Sequence, residues 1–136
     1  MKMTFRWYGE NDSIALDYIK QIQGVEGVVT AVYDVPVGEV WGLDKLERLK
    51  KLSNERGLSM EVIESVPVHE DIKLRQGNYQ LYIDNYKENI RRLARYGVKC
   101  ICYNFMPVFD WTRSRLDHTL PDGSNALVYT RKTLTK

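Results

Sequence analysis

Four short groups along this 136-residue chain combine acids, guanidinium, imidazole, amide and indole. The first is Arg6-Trp7-Tyr8. The second is Asp34, followed by Glu39 and Trp41. The third is Glu64-Ser65 with His69, Glu70 and Asp71. The fourth is Asn104 with Asp110, Trp111 and Arg113. A guanidinium such as Arg113 can clamp a carboxylate through two parallel hydrogen bonds. A carboxylate such as Glu64 follows Met60 and Val62 on one strand side, so it is expected to be at least half buried and to need a cation, a metal or a donor. Each group also has a bland reading. Glu64 could be an ion-pair member, His69 an incidental loop residue, Asn104 a strand-end cap and Arg113 a surface charge. Cys100 and Cys102 read as packing residues, and Tyr79, Tyr82 and Tyr86 as core or helix surface. There is no Gly-rich phosphate loop, no nucleophile elbow, no Cys-x-x-Cys and no His pair at i, i+4.

The elements that must place these groups follow from periodicity. Val98 to Phe105 begins as a strand, preceded by Gly97 and stopped by Pro107. Alternation puts Cys100, Cys102 and Asn104 on one side, and Ile101, Tyr103 and Phe105 on an apolar other side. Upstream, 3–8 reads as a strand, and Asp12 or Ser13 as the cap of a helix carrying Ala15, Tyr18, Ile19 and Ile22. The run 28–33 reads as a covered strand. A helix over 40–56 has Leu43, Leu46, Leu49 and Leu52 as its buried stripe, ended by Gly57 in a left-handed cap. Then come a strand over 58–66, a polar loop over 68–77, and a helix over 79–96 with Tyr79, Ile83, Tyr86, Ile90, Leu93 and Ala94 on one face. In the tail, Leu120-Pro121-Asp122-Gly123-Ser124 is turn chemistry, 126–130 a short strand, and the last residues are expected to fray.

The order β-α-β-α-β-α-β predicts the α/β class, with a parallel sheet and right-handed crossovers. All four groups then fall at the carboxyl ends of strands, where such sheets build their sites. A complete (β/α)8 TIM barrel needs about 250 residues, so the expectation is a partial barrel of four strands and three helices. Residues 1–136 form the N-terminal part of one barrel domain, with 116–136 as a loop or hairpin tail. Hydrophobic residues make up 43% of the chain, charged residues 28%, and the net charge is +2. No basic excess suits a nucleic acid, and no apolar run approaches the ~20 residues of a membrane span. With no signal peptide visible and two Cys poorly placed to bridge each other, the expected location is cytoplasmic.

Longer motifs carry a resemblance. Arg6-Trp7-Tyr8-Gly9 with Asn11-Asp12, Gly27-Val28-Val29-Thr30-Ala31, and Pro36 with Gly38-Glu39-Val40-Trp41 resemble the opening of the mannonate dehydratase family. So do the run Glu64 to Lys73, Gly77-Asn78-Tyr79, Cys102 to Pro107 with Asp110-Trp111-Thr112-Arg113, and Leu120 to Ser124. The likeness covers roughly residues 4 to 128. It implies a xylose-isomerase-like barrel that removes water from D-mannonate to give 2-keto-3-deoxy-D-gluconate in hexuronate breakdown. It also implies Mn2+ or Fe2+, with His, Cys and Asp ligands from later strands that these letters do not contain. The chain thus resembles an N-terminal part. The 136 residues alone are expected to be inactive and to hold no tight Mn2+. In this reading Arg113 and Asn104 grip the sugar acid, Glu64 and His69 hold hydroxyls or support the metal's surroundings, Tyr8 and Trp111 shape the pocket and exclude water, and Asp110 is counted with them as substrate-binding. The alternatives are a sugar isomerase or epimerase on the same barrel, and an inert half-barrel. A homo-oligomer, or self-association through open sheet edges, is expected.

Overall fold

The computed structural model describes residues 1–108 and 112–131. Two compact units divide the chain, Met1–Phe105 and Met106–Lys136. In the first, four strands, β1 (Met3–Arg6), β2 (Val25–Thr30), β3 (Ser59–Glu64) and β4 (Cys100–Cys102), form one sheet in the order β1-β2-β3-β4. Every neighbouring pair is parallel. Between them lie the helices α1 (Leu16–Gln21), α2 (Leu43–Glu55), α3 (Glu70–Leu74) and α4 (Tyr79–Arg95).

The core lies between helices and one sheet face. Val28, Met60 and Ile63 pack there with Ile19, Leu46, Leu49 and Leu93. Trp7 and Trp41, which the sequence places in rim groups, are buried in this core. The other face carries Arg6, Val29, Val62, Glu64, Cys100 and Cys102, all partly or largely exposed. A register irregularity between Val28 and Val29 pairs Val28 with Met60 but Val29 with Val62. Met60 therefore faces the helices while Val62 and Glu64 face the other way. This corrects the expectation that Glu64 is at least half buried: its side chain is 53% exposed.

Helices α2 and α4 end alike. Gly57 and Gly97 both adopt left-handed backbone. The amides of Gly57 and Leu58 return to the carbonyls of Asn54 and Ser53, and those of Gly97 and Val98 to Ala94 and Leu93. Several expectations change. The α1 cap is Ala15, with no side-chain bond. The Asp12 carboxylate instead accepts from the amides of Tyr8 and Ile14, at 2.7 and 3.0 Å, and so folds the loop before the helix. Leu43 and Ile90 are exposed. The polar loop over 68–77 contains α3, capped by His69. Strand β4 ends at Cys102, so Tyr103 and Phe105 leave the sheet. They line an open apolar groove of about 260 Å³ with Val68, Ile72, Ile83 and Tyr86.

The second unit holds an antiparallel hairpin, β5 (Arg115–Thr119) and β6 (Asn125–Val128). Its turn is the Leu120–Ser124 segment. Asp122 Oδ1 accepts from the Ser124 amide at 3.0 Å and from its hydroxyl at 2.7 Å, which holds the Asp122 carboxyl below the usual range.

Candidate functional site

Because all four strands run the same way, β1, β3 and β4 end at one rim of the first unit. Arg6 is the last residue of β1 and Glu64 the last of β3. Their side chains meet across β2 on the face without helices, Arg6 Nη1 to Glu64 Oε2 at 2.7 Å. The peptide after Glu64, Glu64–Ser65, is cis. Glu64 is also in register with Cys102 on β4. The Arg6 guanidinium lies 4.8 Å from the centre of the Tyr8 ring, within range of a cation–π contact. Tyr33 stands beside Tyr8, ring centres 5.9 Å apart and planes tilted by 41°. Arg6 Nε is buried and has no hydrogen-bond partner among the described residues.

Burial pushes the Cys102 thiol up, with the neighbouring Cys100 and Glu64 adding to it. Burial likewise pushes the Tyr33 phenol up, against the pull of Arg6. Both groups are protonated near neutrality, so they offer donors and no nucleophile or base. Outside the rim pair, a cleft of about 270 Å³ lies between the loops after β1 and β2 and helix α2. Its charges are internally matched: Arg48 pairs with Glu10, and Lys45 with Asp34.

The structure therefore joins Tyr8 and Glu64 through Arg6. Asn104 follows β4 directly, two positions after Cys102, and is half-buried. His69 is already engaged: Nδ1 accepts from the Asp71 amide at 3.1 Å as the cap of α3, and the ring stacks on Tyr82 at 3.7 Å between centres. Its proton accordingly sits on Nε2, which is left as a donor. Arg113 belongs to the second unit, where Nη1 donates to the Thr112 carbonyl at 2.9 Å. Asp110 and Trp111 lie outside the described residues. The sequence reading gives no substrate role to Arg6, although it stands in the first rim group, and none to Tyr33. The signal for Arg6 was its parity with Tyr8 on a strand ending at the rim. Tyr33 sits in a loop, where alternation says nothing. Among the described residues, no three His, Cys, Asp or Glu side chains converge as a metal ion requires, so the Mn2+ or Fe2+ implied by resemblance finds no ligand set in them.

A sequence model described as D-mannonate dehydratase (UxuA) matches residues 1–136. The chain is 55% identical over 134 residues to a mannonate dehydratase of Streptococcus suis (strain 05ZYH33), covering 98% of this chain and 37% of that protein. It is 57% identical over 133 residues to a mannonate dehydratase of Geobacillus thermodenitrificans (strain NG80-2), covering 97% of this chain and 36% of the other. The crystal structure of mannonate dehydratase from Streptococcus suis serotype 2 superposes with a TM-score of 0.93 at 55% identity, over 99% of this chain and 39% of that one. The chain thus spans little more than a third of the length of the curated relatives it matches.

Proposed function

Because this chain belongs to the D-mannonate dehydratase (UxuA) family, we propose that the protein carrying it removes water from D-mannonate to give 2-keto-3-deoxy-D-gluconate, in hexuronate breakdown. The observation that carries this reading is a family match running from end to end of the chain.

The reaction breaks the C2–H and C3–OH bonds; the enol formed between C2 and C3 then becomes the 2-ketone. The C2 proton is weakly acidic, because its loss sets a second negative charge beside the carboxylate. A base must take it, and an acid must hand a proton to the departing hydroxyl. Fixed cationic donors on the carboxylate stabilise that charge, the role we assign to Arg113. The described residues do not compose a metal site; Mn2+ or Fe2+, held by other side chains, would supply further stabilisation of negative charge on the substrate's oxygens.

We read the four strands as consecutive members of a closed (β/α)8 barrel of the xylose-isomerase-like kind. Strand order follows chain order without reversal, whereas a doubly wound sheet reverses at a switch point. Helices cover one face, and the other would become the interior. The outer strands β1 and β4 have edges that invite self-association, which light scattering tests: a concentration-independent monomer of this chain would count against it. Unbridged Cys100 and Cys102 suit a reducing cytoplasm. No helix among the described residues is long and apolar enough to cross a membrane.

The test is turnover. With D-mannonate and Mn2+ or Fe2+, the protein should form the 2-keto-3-deoxy acid; isomerisation of aldoses without dehydration would replace this reading. Arg113→Ala should lower kcat/KM by about 10- to 150-fold, the weight of a lost charged hydrogen bond. A value within about twofold of wild type would remove Arg113 from the chemistry.

A further inference from the structure

The rim pair has a chemistry of its own. Arg6 and Glu64 are drawn together at 2.7 Å, so their charges cancel. A carboxylate approaching this spot meets a guanidinium already neutralised and a second carboxylate that repels it. A pair of adjacent hydroxyls meets the opposite situation. Each hydroxyl can both donate and accept. Glu64 supplies an acceptor and Arg6 supplies planar N–H donors, and the two stand side by side on a face that solvent reaches. The Arg6 side chain is 30% exposed while its Nε is buried, so the donors that solvent reaches are the terminal N–H groups of the guanidinium, more of them than one ion pair uses. Tyr8 and Tyr33, 58% and 49% exposed, form an aromatic wall next to the pair. Tyr8 also holds the plane of Arg6 by lying 4.8 Å beneath it. Such a wall suits the C–H face of an extended carbon chain, and the fork suits its hydroxyls.

We propose that Arg6, Glu64 and the ring of Tyr8 form a neutral polyol subsite, in which Glu64 accepts from and Arg6 donates to neighbouring hydroxyls of the substrate's carbon chain, away from its carboxylate. This deepens the dehydratase reading and rests on it for the identity of the ligand. The subsite grips the hydroxylated tail of a sugar acid and thereby sets its length and stereochemistry. The carboxylate end belongs to some other cation. Arg6 and Glu64 are specificity residues in this assignment, with Tyr33 positioning Tyr8.

The experiment uses the protein that carries this chain, labelled with nitrogen-15 and titrated with D-mannitol, a polyol with no carboxylate. Glycolate, a hydroxy acid with no further hydroxyls, serves as the comparison. Wild type should show a saturable shift of the Arg6 Nε–H resonance with D-mannitol. Glu64→Ala and Arg6→Gln should weaken D-mannitol binding about tenfold or more, with glycolate binding unchanged. Arg6→Lys keeps the charge and loses the fork; it should lie between wild type and Arg6→Gln, and it keeps the test alive if the harsher variants misfold. In turnover of D-mannonate, the same variants should raise KM about tenfold and leave kcat within about threefold. Absence of a D-mannitol response in wild type overturns the subsite. So does an equal loss of glycolate, or a fall in kcat at constant KM. A protein that binds D-mannitol through Arg6 yet does not dehydrate D-mannonate keeps the subsite and loses the dehydratase reading. Turnover with no D-mannitol response gives the reverse.

Discussion

At His69, imidazole chemistry is subordinate to local folding. Nδ1 accepts from the Asp71 amide and the ring stacks on Tyr82, so the side chain starts α3 before it does anything else. His69→Ala should cost about 1 kcal/mol of stability, the usual weight of a lost cap. His69→Asn, which supplies another acceptor, should stay within about 0.5 kcal/mol of wild type. Urea denaturation reads both, and an Asn variant as unstable as the Ala variant would mean that the stack on Tyr82, and not the cap, does the holding. The sequence offered a His in what read as a polar loop, where its spacing to Asp71 carried no meaning until a helix was seen to begin there. Glu64 was legible as a rim carboxylate wanting a cation, and Arg6 is that cation. Its exposure was not legible, because strict alternation from Met60 fails at the irregular register of β2 and β3.

Helix α4 shows what hydrophobic periodicity cannot reveal. The expected face ran through Ile83 and Ile90, yet Ile90 is exposed and Asn89 is buried to 3%. Asn89 Oδ1 accepts from the Trp41 amide at 2.8 Å, and Nδ2 donates to the Glu39 carbonyl at 3.0 Å. One turn earlier Asn85 donates to the Gly38 carbonyl at 2.9 Å, and one turn later Arg92 donates to the Trp41 carbonyl at 2.7 Å. A polar stripe thus clamps the main chain ahead of α2. Polar side chains look like a wet surface in any hydropathy reading; only the positions of Asn85, Asn89 and Arg92 on successive turns hinted otherwise. Asn89→Ala should destabilise the protein by about 2–4 kcal/mol, since it strips the buried Trp41 amide and the part-buried Glu39 carbonyl of their partner. A loss under 1 kcal/mol by chemical denaturation would contradict that role. Gly38 belongs to the same clamp: its φ is +91°, and an added Cβ would lie 2.5 Å from the Tyr82 ring. Gly38→Ala should therefore be destabilising by about 1–3 kcal/mol, lowering the melting temperature.

For the whole molecule, the class and the order of its first unit were legible: the four parallel strands, the helices between them and the shared exit rim all follow from the alternation of periods. The short helix α3 and the early end of β4 were not, because neither leaves a periodic trace long enough to separate it from loop. Charge pairing adds a pH dependence. A hydrogen bond from Lys2 holds the Glu61 carboxyl low, aided by Lys99; Arg48 does the same for Glu10 and Lys45 for Asp34. Each carboxyl is lower when folded than when unfolded. Its contribution is thus complete above the ordinary values, 4.5 for Glu and 3.8 for Asp, and is lost as pH falls through the depressed folded values. Urea midpoints should fall between pH 5 and pH 3, and Glu61→Gln should flatten part of that fall; an unchanged pH profile in Glu61→Gln would rule out Glu61 as a contributor.

Lys2 immediately precedes β1 and Arg6 ends it, and Glu61 and Glu64 lie along β3, with β2 between. Two charged spans across an intervening strand act as a gauge of alignment. Sliding β1 by one residue against β3 would part Glu64 from Arg6 and leave Glu61 with Lys99 alone, so mispaired arrangements of the nascent sheet are penalised at both ends at once, well before any pocket exists to select among them.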